Sequence, residues 1–283
     1  MKDHFSASYH GEFYFQRRDA LSVDAEQKKL QDFRMLHSPT VTFKPNKNWQ
    51  FLATAEFKYS DVSPDPAFPN NYYRGLFTIT RKGILNEKDH GIGFDLGIGR
   101  RDFNTGVAPT QKGNYRAFST LTKTFGKHNA SIFVQYLKND PKVWSQSTWE
   151  HGLEFVPTLN LQLTEKLSYL FNDDINLNWA KSDANPNKTT LSHEMNLAYF
   201  NYQWNDKVNT YYQFKYYHLE AFSGVPPKDD YFEHYAGIGY SFGPKATLTL
   251  EAGSEVFHAH DGKTLFSEKV AYPELALYVD LAL

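Results

Sequence analysis

The 283-residue chain contains no cysteine, which excludes disulfide staples, thiol nucleophiles and thiolate metal sites. Long apolar runs are absent too: nothing approaches the ~18 residues that a membrane-crossing helix needs, and mean hydropathy is negative. No charge of one sign dominates, with 30 bases set against 32 acids. A nucleic-acid partner, which would select a basic patch or stripe, is therefore not expected. A 3.6-residue apolar stripe does not persist beyond two turns anywhere. Neither a phosphate-cradling loop nor a metal-spaced His/Asp cluster occurs, so no cofactor and no metal are expected. The start, Met1-Lys2-Asp3-His4, shows neither a charged n-region nor an apolar h-region. The sequence is accordingly expected to begin at a mature N-terminus behind an added Met.

Aromatic residues are abundant, with 23 Phe, 19 Tyr and 5 Trp, a composition that favours strands over helices. The organising signal is period two. At the end of the chain Leu275, Leu277, Val279, Leu281 and Leu283 alternate with Glu274, Ala276, Tyr278, Asp280 and Ala282. Trp49, Phe51, Ala53, Ala55, Phe57 and Tyr59 likewise alternate with polar neighbours, and Ile92, Phe94, Leu96 and Ile98 alternate with Gly91, Gly93, Asp95, Gly97 and Gly99. A membrane barrel alternates in this way, so its average hydropathy is low even though it spans a bilayer.

Connection lengths alternate as well. Short ones are predicted at Pro45–Asn48, Gly126–Asn129, Thr164–Lys166, Asn205–Lys207 and Gly243–Ala246, with a longer one at Gly83–His90. Polar loops are predicted near 17–29, 61–71, 102–114, 139–147, 180–190, 219–230 and 258–268. Together they imply about fourteen strands, with about 20 residues for each strand and connection, enough for spanning strands of roughly 9–11 residues. Phe43, Trp49, Phe125, Trp204 and Phe242 fall near the short turns; Phe15, Tyr59, Tyr73, Tyr115, Trp149, Trp179 and Tyr216 fall near the long loops. Two such girdles suit the two membrane interfaces. The expected fold is all-β: a single domain over 1–283, a transmembrane antiparallel up-and-down β-barrel with short periplasmic turns and longer extracellular loops.

With the apolar face outward, the pore lining is expected to include Glu12, Asp32, Arg34, Glu56, Lys58, Arg74, Asp95, Arg116, Glu150, Glu154, Glu194, Lys215, Glu251 and Glu255. In a packed core so many charges would be prohibitive; in a water-filled lumen they stay hydrated. Acids outnumber bases in this set, which points to a weak cation preference. The expected partners are outer-membrane lipids and small hydrophilic solutes, ions and sugars, and the expected activity is passive diffusion in the bacterial outer membrane rather than catalysis.

Three stretches carry a family resemblance: Leu36–Lys58 with Ser38-Pro39, the turn at Pro45–Asn48 and Trp49; Ile84–Asn104 with Asn86-Glu87-Lys88-Asp89 before a Gly-rich strand; and Leu161–Asp174 with Leu163-Thr164-Glu165-Lys166-Leu167. With its length and layout, the chain resembles the outer membrane protein G family of monomeric fourteen-stranded porins. The resemblance implies a monomeric, weakly selective channel for ions and mono- to oligosaccharides. It also implies a histidine pair on strands twelve and thirteen that helps a loop close the pore in acid. Here His260 matches the second position, whereas the first falls near Asp229, with His234 the nearest histidine, so the pair is not reproduced. Histidine titrates near neutrality, and His258 or His260 beside Asp229 and Asp230 would form a charge-assisted pair in acid. Loop 219–230 would then either tighten over the mouth or stay unmoved.

Two other classes compete. An outer-membrane lipase needs Ser, His and a polar orienter together on the membrane face; Ser192 and His193 are adjacent, hence on opposite faces of a strand, and Ser147 lies four residues from His151. Protease barrels place Asp and His above the membrane, which the Asp-bearing loops permit. An adhesin or binding barrel would use loops such as Asp61–Asn71 or Ser223–Asp230, which are short for that task.

Overall fold

The structure is a computed structural model that describes residues 4–17, 31–60, 72–105, 111–141, 150–179, 189–221, 229–260 and 272–283. Fourteen strands follow one another in chain order: β1 (Phe5–Arg17), β2 (Gln31–Asn46), β3 (Trp49–Ser60), β4 (Tyr72–Leu85), β5 (Gly93–Thr105), β6 (Gln111–Phe125), β7 (His128–Pro141), β8 (His151–Gln162), β9 (Leu167–Trp179), β10 (Thr189–Gln203), β11 (Val208–Ala221), β12 (Asp229–Gly243), β13 (Ala246–His260) and β14 (Tyr272–Ala282). Each pairs antiparallel with its neighbours, and β1 pairs with β14 to close the barrel. Closure removes the exposed edges that an open sheet of this length would carry. The only helix among the described residues, α1 (Glu87–His90), sits in the β4–β5 connection, with Asn86 capping its start and Gly91 ending it in the left-handed region.

The expected number of strands is present, but the strands are longer than expected. Residues 102–105 and 111–114, assigned above to a loop, belong to β5 and β6; 139–141, 219–221, 229–230 and 258–260 are strand as well. Pairing continues past the apolar stretch because a closed ladder gains a backbone hydrogen bond for each added residue, whatever its polarity.

Register and alternation separate two faces. Outward point Phe5, Phe15, Val41, Phe57, Phe77, Ile98, Phe155, Ile238 and Leu250, all substantially exposed. Among the described residues the only buried hydrophobic one is Ala276. A water-soluble sheet protein of this size would bury its apolar faces between layers. Among the described residues there is no second layer, and the apolar side chains form the outside. That arrangement suits a hydrocarbon surround. Trp49, Phe125, Trp204 and Phe242 at one end, and Phe15, Tyr59, Tyr73 and Tyr115 at the other, are exposed on the same outer surface, forming the two aromatic belts.

The β6–β7 connection is two residues long, and Gly126 adopts φ +63°. An L side chain there meets its following carbonyl, at a cost of about 1–2 kcal/mol. Gly126→Ala is therefore expected to lower stability by about 1 kcal/mol, read as an earlier urea-unfolding midpoint; an unchanged midpoint would count against this role for the turn.

Candidate functional site

The inner face is built by the alternate residues, and its polar side chains hold one another in a hydrogen-bonded lattice. On β3 and β4, Glu56 and Arg74 form a two-bonded pair: Nη2 donates to Oε1 at 2.9 Å, and Nε donates to Oε2. Two strands on, Arg116 donates from Nε to Asn114 at 2.7 Å and from Nη1 to Gln135 at 3.4 Å. Asn114 and Gln135 are both nearly fully buried, so they hold the guanidinium in place. Gln135 in turn donates to Glu154 on β8. Arg74, Arg101 and Arg116 are mutual electrostatic neighbours, which makes the β4–β6 wall cationic. Next to it, β8–β10 present Glu154, Asp174 and Glu194, the last 3.1 Å from Lys215 of β11.

The opposite arc, β10 to β1, combines tyrosines and carboxylates. Glu251 accepts from the hydroxyls of Tyr211 and Tyr278, both at 2.6 Å. Glu12 accepts from Tyr14 at 2.6 Å, and His10 lies between Glu12 (2.9 Å) and Asp280 (2.6 Å). Tyr211 lies flat against the wall because its register partner is Gly237: a Cβ there would collide with the ring. Phe118 lies over Gly97 in the same way. The glycines thus keep large rings from projecting into the lumen.

The expected lining residues fall as follows. Glu12, Arg34, Glu56, Lys58, Arg74, Asp95, Arg116, Glu154, Glu194, Lys215 and Glu251 lie on the inner face. Arg34 is 3.7 Å from Glu274. Asp95 sits low on the wall, paired with Lys82 and accepting from the backbone of Gly83 at 2.7 Å, so it braces the β4–β5 connection. Glu150 just precedes β8, 3.3 Å from the His151 ring. Glu255 pairs through its backbone with Glu233; its side chain, like that of Asp32, lies outside the described residues.

Of the expected gate residues, the side chains of Asp230 and His234 are described, and both face outward. Asp230 faces outward, where it accepts from Tyr216 at 2.8 Å and lies 2.5 Å from His218. His234 also faces outward and bonds Ser254 at 3.2 Å. Alternation is the physical reason: both have the parity of Phe232, Ala236 and Ile238, the apolar face of β12. Asp229 and His260 are backbone register partners, but their side chains and that of His258 lie outside the described residues.

Several inner groups were missed by sequence reasoning. Arg101 continues the alternation of Asp95 and Gly99 and was legible by extending β5 one step. Tyr14, Tyr211 and Tyr278 share the parity of acknowledged lining residues, yet in sequence they resemble girdle aromatics. On the outer wall, His193 bonds Asp173 at 3.1 Å, and its ring lies tilted 6.1 Å from that of His218. As for a lipase, Ser192 and His193 do occupy opposite faces. The Ser254–His234 pair is on the outer surface, but among the described residues no carboxylate bonds to His234, so the orienting partner such chemistry needs is not assembled there.

No family model matches the chain, and no curated protein matches it. Solved structures do. DcaP, an outer membrane channel of Acinetobacter baumannii, is similar with a TM-score of 0.53 at 7% identity, over 99% of this chain and 96% of that one. OmpT, an outer membrane protein of Vibrio cholerae, is similar with a TM-score of 0.51 at 12% identity, again over 99% and 96%. At such identities the likeness is one of fold: this chain has the closed antiparallel barrel of outer-membrane proteins.

Proposed function

We propose that this barrel is a porin-like channel of the bacterial outer membrane, through which ions and small hydrophilic solutes, mono- and oligosaccharides among them, diffuse passively. The supporting observation is the contrast between its faces. Glu12, Arg74, Arg116, Glu154 and Glu251 project from one side of a wall whose other side is mainly apolar, interrupted by the Asp173–His193 and His234–Ser254 pairs. Eight strands already enclose a space that side chains fill, so fourteen leave room for water along these charges. Charges that water hydrates carry little cost, whereas the same set in a dry core would cost several kcal/mol each. The channel acts as a monomer without cofactor, in the manner of the family the sequence resembles, and its tyrosine-lined arc offers sugars both ring faces and hydroxyls.

Refolded protein in a planar bilayer is expected to give stable unitary current steps that maltodextrins partly block. Steps insensitive to maltodextrin would remove the sugar part of the reading. A barrel that inserts but stays electrically silent would overturn the channel and leave the enzyme and loop-binding readings, which phospholipid and peptide hydrolysis assays would separate.

A further inference from the structure

A recess of about 450 Å³ opens to the lumen in the wall of β4–β9. It brings together three kinds of surface. Arg116 supplies a cation whose bonds go only to the neutral amides of Asn114 and Gln135, with no carboxylate in ion-pair contact among the described residues. Glu154 supplies an anion that accepts from Gln135 and likewise has no cation in ion-pair contact. One amide thus stands between two opposite charges, holding them apart and leaving each a free direction. Beside them Phe118 and Phe133, with ring centroids 5.9 Å apart, and Leu137 form an apolar floor, with Leu76 also lining the recess.

We infer that this recess is a binding site for an α-amino acid with an apolar side chain, on the geometry of Arg116, Glu154 and the Phe118–Phe133 floor. The inference rests on the channel reading for how the ligand arrives. A carboxylate and an ammonium borne on one carbon are spaced to reach a cation and an anion separated by a single amide. The guanidinium takes the carboxylate through paired N–H donors, Glu154 takes the ammonium, and the side chain covers the rings. A simple carboxylate would leave Glu154 unanswered and repelled; a simple amine would do the same to Arg116. The hydroxyls of a sugar hydrogen-bond to both groups but neutralise neither charge. The adjacent Arg101, also lining the recess, adds to the positive potential on the carboxylate side.

The test uses the full refolded chain in a planar bilayer, with L-phenylalanine, 3-phenylpropionate, phenethylamine and glycine added in turn at equal concentration. Phenylalanine is expected to reduce the time-averaged current about tenfold more effectively than any of the other three, since each charged hydrogen bond lost is worth about one decade. Arg116→Gln and Glu154→Gln, each checked for folding by protease resistance, are expected to lower the phenylalanine effect by a similar factor. Equal effects of all four compounds, or of phenylpropionate and phenylalanine, would overturn the site, as would insensitivity to both substitutions. If no unitary current appears, the channel reading fails and not this one. Calorimetric titration of the micelle-refolded barrel with the same four compounds then decides it, binding of phenylalanine alone supporting the site and no binding ending it.

Discussion

Ile98→Arg is expected to destabilise the membrane-inserted barrel by about 2–4 kcal/mol, the cost of a cationic side chain near the bilayer midplane. Ile98 lies midway along β5, paired with Ile79 and Ala117 on the outer surface, and is 60% exposed. In hydrocarbon that exposure is solvation by lipid. An arginine there must either carry its charge into the apolar band or reach along the wall to an interface. Thr120→Arg provides the contrast, since Thr120 faces inward opposite Asp95, where a cation meets water and a carboxylate. Reversible unfolding in urea from lipid vesicles measures both. The assignment of faces requires the outer variant to lose at least 1 kcal/mol more than the inner one; similar losses would show that the outer wall does not contact hydrocarbon.

Glu251→Ala has the next largest effect, about 3 kcal/mol of lost stability. Glu251 is 7% exposed and holds two tyrosine hydroxyls, one from the adjacent β14 and one from β11 across β12. Hydrogen bonds to a charged group contribute roughly 1.5–3 kcal/mol each, and the water within the lumen, which can replace part of each bond, puts the sum near the lower end. Glu251→Gln keeps one acceptor oxygen and is expected to lose about half as much. The same unfolding measurement separates the two variants. Equal losses from Ala and Gln would mean that the side chain's bulk matters more than its bonds to Tyr211 and Tyr278. Tyr211 is held twice, by Glu251 and by the space above Gly237, so a side chain at Gly237 would displace the same ring by another route.

Much of the architecture can be read from the chain alone, and particular residues show why. The alternation from Leu275 to Leu283 is a local consequence of the pleat: successive side chains point to opposite faces, so a strand with lipid on one side and water on the other writes its environment directly into its sequence. Turns such as Pro45–Asn48 and Gly243–Ala246 are local too, because few residues reverse a strand so tightly. From these, fourteen strands and the inward direction of Glu12, Glu56, Arg74, Arg116 and Glu251 follow without any tertiary knowledge.

What local pattern cannot contain is anything that depends on which strands meet and in what register. In β10 a bulge between Asn196 and Ala198 shifts the register: above it Glu194 and Asn196 face inward, below it Tyr199 and Asn201 do. A strict period of two misassigns one half of that strand, because a single extra residue exchanges the faces of all that follow. Asp230 shows the same limit. In sequence it falls within the predicted loop 219–230, whereas its partner, His218, is supplied by the adjacent strand through pairing. Composition, alternation and turn spacing, all short-range, determined the barrel, its strand number and its polar interior. Only closure and register decided that Arg116 would be held by buried amides beside Glu154, that His193 would meet Asp173 and that His218 would meet Asp230, because those contacts cross between strands.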